Sequence, residues 1–149
     1  MTFVPRFTAV ESLLEAADMI NKPHEDYPRR VTSTLEAIQD VLRIVRHPSI
    51  SLYTIRCIHQ YVMADLRDAG YWRMCEVQIG SDMGMPFVSV PSAMSDLHPY
   101  QFETIEELFE WYRQFQIIHP FSDGNGRVGG ILVAAMGCKF HNVIYAPLQ

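Results

Sequence analysis

One stretch concentrates the groups able to do chemistry: His119-Pro120-Phe121-Ser122-Asp123-Gly124-Asn125-Gly126-Arg127-Val128-Gly129-Gly130. It sets a base, a carboxylate, a flexible backbone loop and a guanidinium on one turn between two apolar periodic segments. Gly124-Asn125-Gly126 reaches positive φ at little cost, so successive N–H groups can face one point. Such a nest at a helix N-terminus binds anions. Arg127, in the first turn of the following helix, adds a guanidinium that keeps its charge, and Asp123 offers a hard oxygen suited to Mg²⁺ rather than to a softer metal. Together these residues read as a phosphate and metal cradle with His119 beside it. They read equally as turn chemistry between two helices, with Asp123 as a cap and His119 closing the preceding helix. A third reading, His119 and Asp123 as joint ligands of a transition metal, is weaker, because no Cys/His cluster lies nearby to complete the site.

The elements that must position this stretch follow from periodicity. Ile105, Leu108, Trp111, Tyr112, Phe115 and Ile118 repeat at helical spacing behind the capping pair Thr104-x-x-Glu107, which predicts a helix running into His119. After the motif, Val128, Ile131, Leu132, Ala135 and Met136 predict another helix, whose Gly129-Gly130 pair costs about 1 kcal/mol per glycine against alanine and so points to close packing. Upstream, Thr8-x-x-Glu11 with Leu13, Leu14, Ala17 and Ile20 predicts a helix over Thr8 to Asn21. Lys22 to Arg30, holding Pro23 and Pro28, reads as a helix-breaking linker. Ser33 with Glu36 predicts the start of the next helix, carrying Leu35, Ile38, Leu42 and Val45 until His47-Pro48-Ser49 stops it. Leu52, Ile55, Ile58, Val62 and Leu66 predict a further helix, with Gly70 as its stop. Val77 and Ile79, the turn from Gly80 to Gly84, and the extended Phe87 to Val90 predict a β-hairpin, followed by an irregular segment from Asp96 to Phe102. The tail from Cys138 to Gln149 carries too little pattern to place.

A chain of 149 residues, 48% hydrophobic and 19% charged, predicts a single globular domain with a real core. A formal charge of −5 and the lack of a Lys/Arg run argue against a general nucleic-acid binder, and no basic amphipathic helix suggests a membrane surface. Cys57, Cys75 and Cys138 are odd in number, unpaired by spacing and set in apolar segments, so they read as reduced core residues of a cytoplasmic protein. No signal peptide or membrane span is expected.

The run from His119 to Arg127 resembles the signature of the Fic family, H-x-F-x-[D/E]-G-N-G-R-x-x-R, at nine consecutive positions. The helix over Glu36 to Val45, the helix ending near Gly70, Gly70-Tyr71-Trp72-Arg73 and the hairpin running to Val90-Pro91 and Met94 resemble a Fic core with its flap. The resemblance implies a mostly α, Fic-type helical domain with a β-hairpin flap, its core at 31–149 behind an N-terminal helix and linker at 1–30. It implies transfer of part of a nucleotide, most often AMP from ATP, onto a hydroxyl side chain of a target protein. Carried over residue by residue, His119 is the general base, Asp123 the Mg²⁺ ligand, the Gly124-Asn125-Gly126 backbone the phosphate nest and Arg127 a phosphate ligand. Phe121 becomes a core anchor of the loop. The hairpin at about 77–90 would hold an extended segment of the target by strand addition, or is simply an edge hairpin.

One position departs from the signature. Gly130 stands where the second arginine would steady the terminal phosphate, and losing a positioned donor in phosphoryl chemistry commonly costs on the order of 3 kcal/mol of barrier. Three outcomes follow: slow AMP transfer with another cation compensating, transfer from a different phosphate-containing donor, or a catalytically weak domain kept for binding. Restoring the cation with Gly130→Arg is expected to raise AMP transfer if the loop is otherwise competent. Thr32-x-x-x-Glu36 has the spacing of the family's inhibitory element but lacks its last residue, and Glu36 reads better as a helix cap. A separate inhibitor protein remains a partner to consider, as does delivery of the chain into another cell. His24, His47, His59, His98 and His141 lack ligand-spaced partners and read as structural or surface residues. Trp111, Tyr112 and Phe115 read as core.

Overall fold

The computed structural model describes residues 4–22, 26–47, 49–97 and 100–148. Six α-helices dominate, joined by three two-stranded antiparallel ribbons. At the centre lies α6 (Asn125–His141), buried on every side from Val128 to Gly137, as an apolar helix without a polar stripe must be. Around it pack α1 (Leu13–Asn21), α2 (Tyr27–Ile44), α3 (Leu52–Val62) and α5 (Ile105–Ile118), while α4 (Val90–Leu97) lies on α5.

The predicted α5 forms over the expected residues. Thr104 accepts the Glu107 backbone N–H at 3.2 Å, a cap that contributes about 1 kcal/mol. Trp111, Tyr112 and Phe115 are core residues, as their spacing requires. The N-terminal helix begins later than its periodicity suggested. Ser12, not Thr8, caps α1 by accepting the Glu15 N–H, and Phe7–Val10 is a strand, β1, paired antiparallel with β6 (Ile144–Pro147). The tail that carried no pattern is therefore the partner of the N-terminus. Inside, the buried Asn21 accepts a hydrogen bond from Thr34, which ties α1 to α2.

Three other expectations are corrected. The linker over Lys22 to Arg30 is helical from Tyr27, because Pro28 sits in the first turn, where its missing N–H costs nothing. Ser33 lies inside α2 and donates to the carbonyls of Arg29 and Arg30 instead of capping, and Glu36 accepts from Tyr61. The helix expected to run to Gly70 ends at Val62, after which turns lead to Gly70 at φ +85°. His24, His98, Pro23 and Pro48 lie outside the described residues.

The hairpin is shorter than expected: β3 (Gln78–Ile79) pairs with β4 (Asp82–Met83) across Gly80-Ser81. Phe87 to Ser89 is a 3₁₀ turn rather than a strand, and it leads straight into α4. Val90 and Met94, one helical turn apart, are both fully buried, which is what selects helix over strand there. β2 (Ser49–Ile50) and β5 (Tyr100–Gln101) form the third ribbon. All three cysteines are free, but none is a buried core residue: Cys57 and Cys138 are half-buried and Cys75 is exposed near the hairpin. Among the described residues no helix is long and apolar enough to cross a membrane.

Candidate functional site

The link between α5 and α6 is built as a chain of reciprocal backbone locks. His119 caps α5 in the left-handed region, φ 53° and ψ 61°, with its N–H donating to Phe115 at 3.0 Å. That conformation costs an L-residue about 1 kcal/mol or more, and Arg73 secures it. Arg73 Nε donates to the His119 carbonyl at 2.6 Å, and the Arg73 backbone N–H donates to the Pro120 carbonyl at 2.8 Å. The rest of the Arg73 guanidinium, 1% exposed, donates to the carbonyls of Cys75, Met85 and Ile118. One side chain thus joins the end of α5 to both bases of the hairpin.

The loop then folds on Asn125. Its side-chain amide accepts from the Phe121 N–H and donates to the Phe121 carbonyl, each at 2.9 Å. Phe121, fully buried, stacks on His59 at 3.7 Å between ring centroids and 5° between planes. His59 Nδ1 accepts the Gly70 N–H at 2.9 Å, so its proton lies on Nε2, which donates to the Asp123 carbonyl at 2.8 Å. Sequence spacing gave His59 no role. It holds the loop between α5 and α6 against the turn after α3.

Gly124 is the hinge from loop to helix. It has φ +85°, and a Cβ there would stand 2.7 Å from Met63 Cγ. Asn125 and Gly126 are already helical, so the expected run of positive φ reduces to Gly124 alone. What the loop presents instead is a helix N-terminus: no side chain caps α6, and its first residues, Asn125 to Arg127, line a cavity. The turn reading is realised in part: His119 closes α5, and the Asp123 side chain makes a local turn bond, Oδ1 accepting the Gly124 N–H at 2.8 Å, without capping α6.

A cavity of about 540 Å³ brings His119, Asp123, Gly124, Asn125, Gly126 and Arg127 together on one wall. This is the size of a small-ligand site. Nδ1 of His119 is buried and makes no well-formed hydrogen bond, so Nε2 is the nitrogen left to exchange a proton in the cavity that His119 lines. Burial, aided by Arg73, lowers the His119 pKa from its ordinary 6.5, against the pull of the Gln116 carbonyl and Asp123. The imidazole is therefore neutral at pH 7 and ready to accept a proton. Arg127 is 6% exposed, and its Nε is buried without a partner; burial, then the nearby Arg30, lowers its pKa. A guanidinium with an unused donor beside a helix N-terminus calls for an anion.

Asp123 is exposed, and its Oδ1 is engaged by Gly124. Among the described residues no group of three or more metal-ligating side chains exists. A single carboxylate suits Mg²⁺, which keeps waters and takes its other oxygens from a phosphate, and does not suit a metal needing a full protein cage.

Position 130 is closed over by a neighbouring helix. A Cβ on Gly130 would stand 3.0 Å from Cγ1 of Ile20, a residue of α1 that also lines the cavity. The neighbouring Gly129 lets Tyr112 and Gln116 of α5 approach equally closely. The glycine pair is thus the packing device that its position in a helix interior suggested.

The family model described as Fic/DOC family matches residues 49–136, well over half of the chain, and spans the loop and the elements that fix it. Two solved structures share the fold: a Fic family protein from Desulfovibrio desulfuricans G20, at TM-score 0.61 and 20% identity over 86% of this chain and 43% of that one. The other is a Fic domain containing signaling protein from Bacteroides thetaiotaomicron VPI-5482, at TM-score 0.61 and 19% identity over 78% of this chain and 48% of that one. This chain spans less than half the length of either. No curated protein matches it in sequence.

Proposed function

Since the chain belongs to the Fic/DOC family, we propose that it transfers a phosphate-containing part of a nucleotide, with AMP from ATP as the leading case, to a hydroxyl side chain of a target protein. The observation that carries this reading is the convergence of His119, Asp123, the α6 N-terminus and Arg127 on one cavity. Each does what such a transfer requires. Nε2 of neutral His119 takes the proton from the target hydroxyl as its oxygen attacks the α-phosphorus. The bond from that phosphorus to the bridging oxygen breaks, and pyrophosphate leaves. Arg127 and the first N–H groups of α6 hold the phosphates in place. Asp123 would hold Mg²⁺, which when bound offsets phosphate charge. Arg73 keeps His119 in register without touching the reacting atoms.

The target would lie along the hairpin, whose two-residue strands leave an exposed edge at Gln78 and Met83. Its short length makes it a local clamp rather than a long sheet. A second reading has its own support: with Ile20 packed on Gly130, the cavity lacks the signature's second arginine, which favours a different phosphate-containing donor or a domain that binds without turnover.

The experiment is incubation with Mg²⁺ and ATP labelled either on the adenine or on the γ-phosphate, followed by intact-mass analysis of the chain and candidate targets. Adenine label incorporated by the wild type and not by His119→Ala supports AMP transfer, and γ-label alone supports phosphate transfer. If neither label is incorporated while the wild type and His119→Ala bind nucleotide equally, the transferase reading is wrong for ATP.

A further inference from the structure

A second guanidinium lines the same cavity wall as Arg127. Arg30 of α2 is 7% exposed and comes from a segment whose sequence suggested only a linker. Its Nη1 donates to the Val62 carbonyl and its Nη2 to Asp65, whose side chain is 46% exposed and hence poorly able to neutralise it. These two bonds fix the guanidinium and leave donors over from its five. One atom, Met63 Sδ, contacts Nη1 of both arginines, that of Arg30 at 3.9 Å. No carboxylate in the described residues pairs with Arg127, although Asp26 and Asp123 also line the cavity. Two like charges held this close inside the fold repel one another unless an anion lies between them. Ile20, the side chain over Gly130, lines the same cavity as Arg30 and Arg127.

We propose that Arg30 is a phosphate-binding residue that, with Arg127, forms a two-guanidinium clamp on the polyphosphate of the nucleotide donor, in place of the arginine absent at position 130. This rests on the nucleotide reading above and names the cation that compensates. Arg30 acts from α2, outside the signature, which is why the motif alone could not reveal it.

The competing account makes Arg30 an ion-pair partner of Asp65 and nothing more, tying α2 to the turn after α3. The two accounts separate in calorimetric titrations of the full chain with tripolyphosphate, ATP and AMP in the presence of Mg²⁺. For the clamp, Arg30→Gln weakens tripolyphosphate and ATP by about ten- to hundredfold and erases their advantage over AMP, as expected for loss of a charge-assisted bidentate donor. Arg30→Lys recovers part of the affinity. Asp65→Asn, which breaks the same ion pair but keeps the cation, leaves the affinity intact or tightens it while lowering the melting temperature as Arg30→Gln does. An Arg30→Gln protein with wild-type affinities, or an Asp65→Asn protein that loses as much as Arg30→Gln, overturns the proposal and leaves the nucleotide reading standing. A wild-type chain that binds none of the three probes overturns both. Should Arg30→Gln fail to fold, the Arg Nε–Hε resonances of the wild type decide: tripolyphosphate shifts those of Arg30 and Arg127 together, and a shift of Arg127 alone overturns the clamp.

Discussion

Ile20 and Gly130 are in contact: Cγ1 of the isoleucine lies 3.0 Å from the place a Cβ on the glycine would take. The contact joins α1 to the central helix. It also changes what Gly130→Arg is expected to do. From the sequence, restoring the arginine should simply raise transfer. In the folded protein the new side chain must first displace Ile20, and such overpacking costs typically about 1–3 kcal/mol. Gly130→Ala, by contrast, asks the β-branched Ile20 to give by a few tenths of an ångström while gaining about 1 kcal/mol of helix propensity, so it should be close to neutral. Thermal melting should therefore rank wild type and Gly130→Ala together and Gly130→Arg clearly below, with Ile20→Ala/Gly130→Arg partly recovering. Transfer activity should rise in that double variant rather than in the single one. A fully stable Gly130→Arg would show that Ile20 does not fill the site.

The two buried histidines predict how stability depends on pH. Burial lowers the pKa of His59, and of His119, from the ordinary 6.5. Each is thus protonated less readily in the folded chain than in the unfolded one. The unfolded state binds more protons as pH drops, so the contribution of both is whole above pH 6.5 and is lost progressively as pH falls through that value. For His59 the cause is concrete: a proton on Nδ1 would eject the Gly70 N–H. Melting temperature should be flat from neutral pH down to about 6.5 and then decline, and His59→Gln should flatten part of the decline while lowering stability throughout. A decline of the same depth in His59→Gln and His119→Ala would refute the assignment.

Much of the site was legible because it is local. The run from His119 to Arg127 carries the resemblance to the family, and α5 announces itself through Thr104 and six apolar residues at helical spacing. What could not be read depends on partners distant in sequence. β1 exists because Phe7 pairs with Pro147, and nothing near Phe7 says so. Phe87 to Val90 alternates like a strand, yet Val90 and Met94 both find the core, so burial overrides the four-residue pattern. His59 and Arg30 are polar residues in segments without motifs, and Arg73 stood in a resembling segment, Gly70-Tyr71-Trp72-Arg73, with no role of its own. Their roles arise only when α3, the hairpin base and α2 fold against the loop. Residue type supplies the groups that could react, and tertiary packing decides which of them are held in register.

Arg73 gives the sharpest case of such holding. Its guanidinium satisfies carbonyls of Cys75, Met85, Ile118 and His119 and pairs with no carboxylate among the described residues. A lysine cannot reproduce that planar fork, and every carbonyl left unsatisfied in the interior costs about 1–3 kcal/mol. Arg73→Lys should lower stability by about 3 kcal/mol in urea unfolding. In the fraction that stays folded, it should depress turnover while nucleotide affinity is retained, because the residue orients His119 and does not line the cavity. Equal loss of affinity and turnover would place it in binding instead.

Gly124 and Gly126 lie two residues apart and should fail in opposite ways. At Gly124 the φ of +85° and the 2.7 Å approach to Met63 Cγ both exclude a side chain, so Gly124→Ala strains the backbone and collides with the core. It should lower the melting temperature whether or not ligand is present. Gly126 is helical, and a Cβ there would meet no protein atom within 4 Å. Nothing in the fold demands glycine at that position, and alanine in the first turn should hold or slightly raise stability. Gly126 lines the cavity in the first turn of α6, so a side chain there is expected to take space from a ligand. Gly126→Ala should therefore melt like the wild type and bind ATP more weakly, and Gly126→Val should abolish binding while remaining folded, both read by calorimetry beside thermal melting. A glycine that the fold does not need but the ligand does is the signature of a backbone cradle. Wild-type ATP affinity in Gly126→Val would mean that the phosphates lie elsewhere.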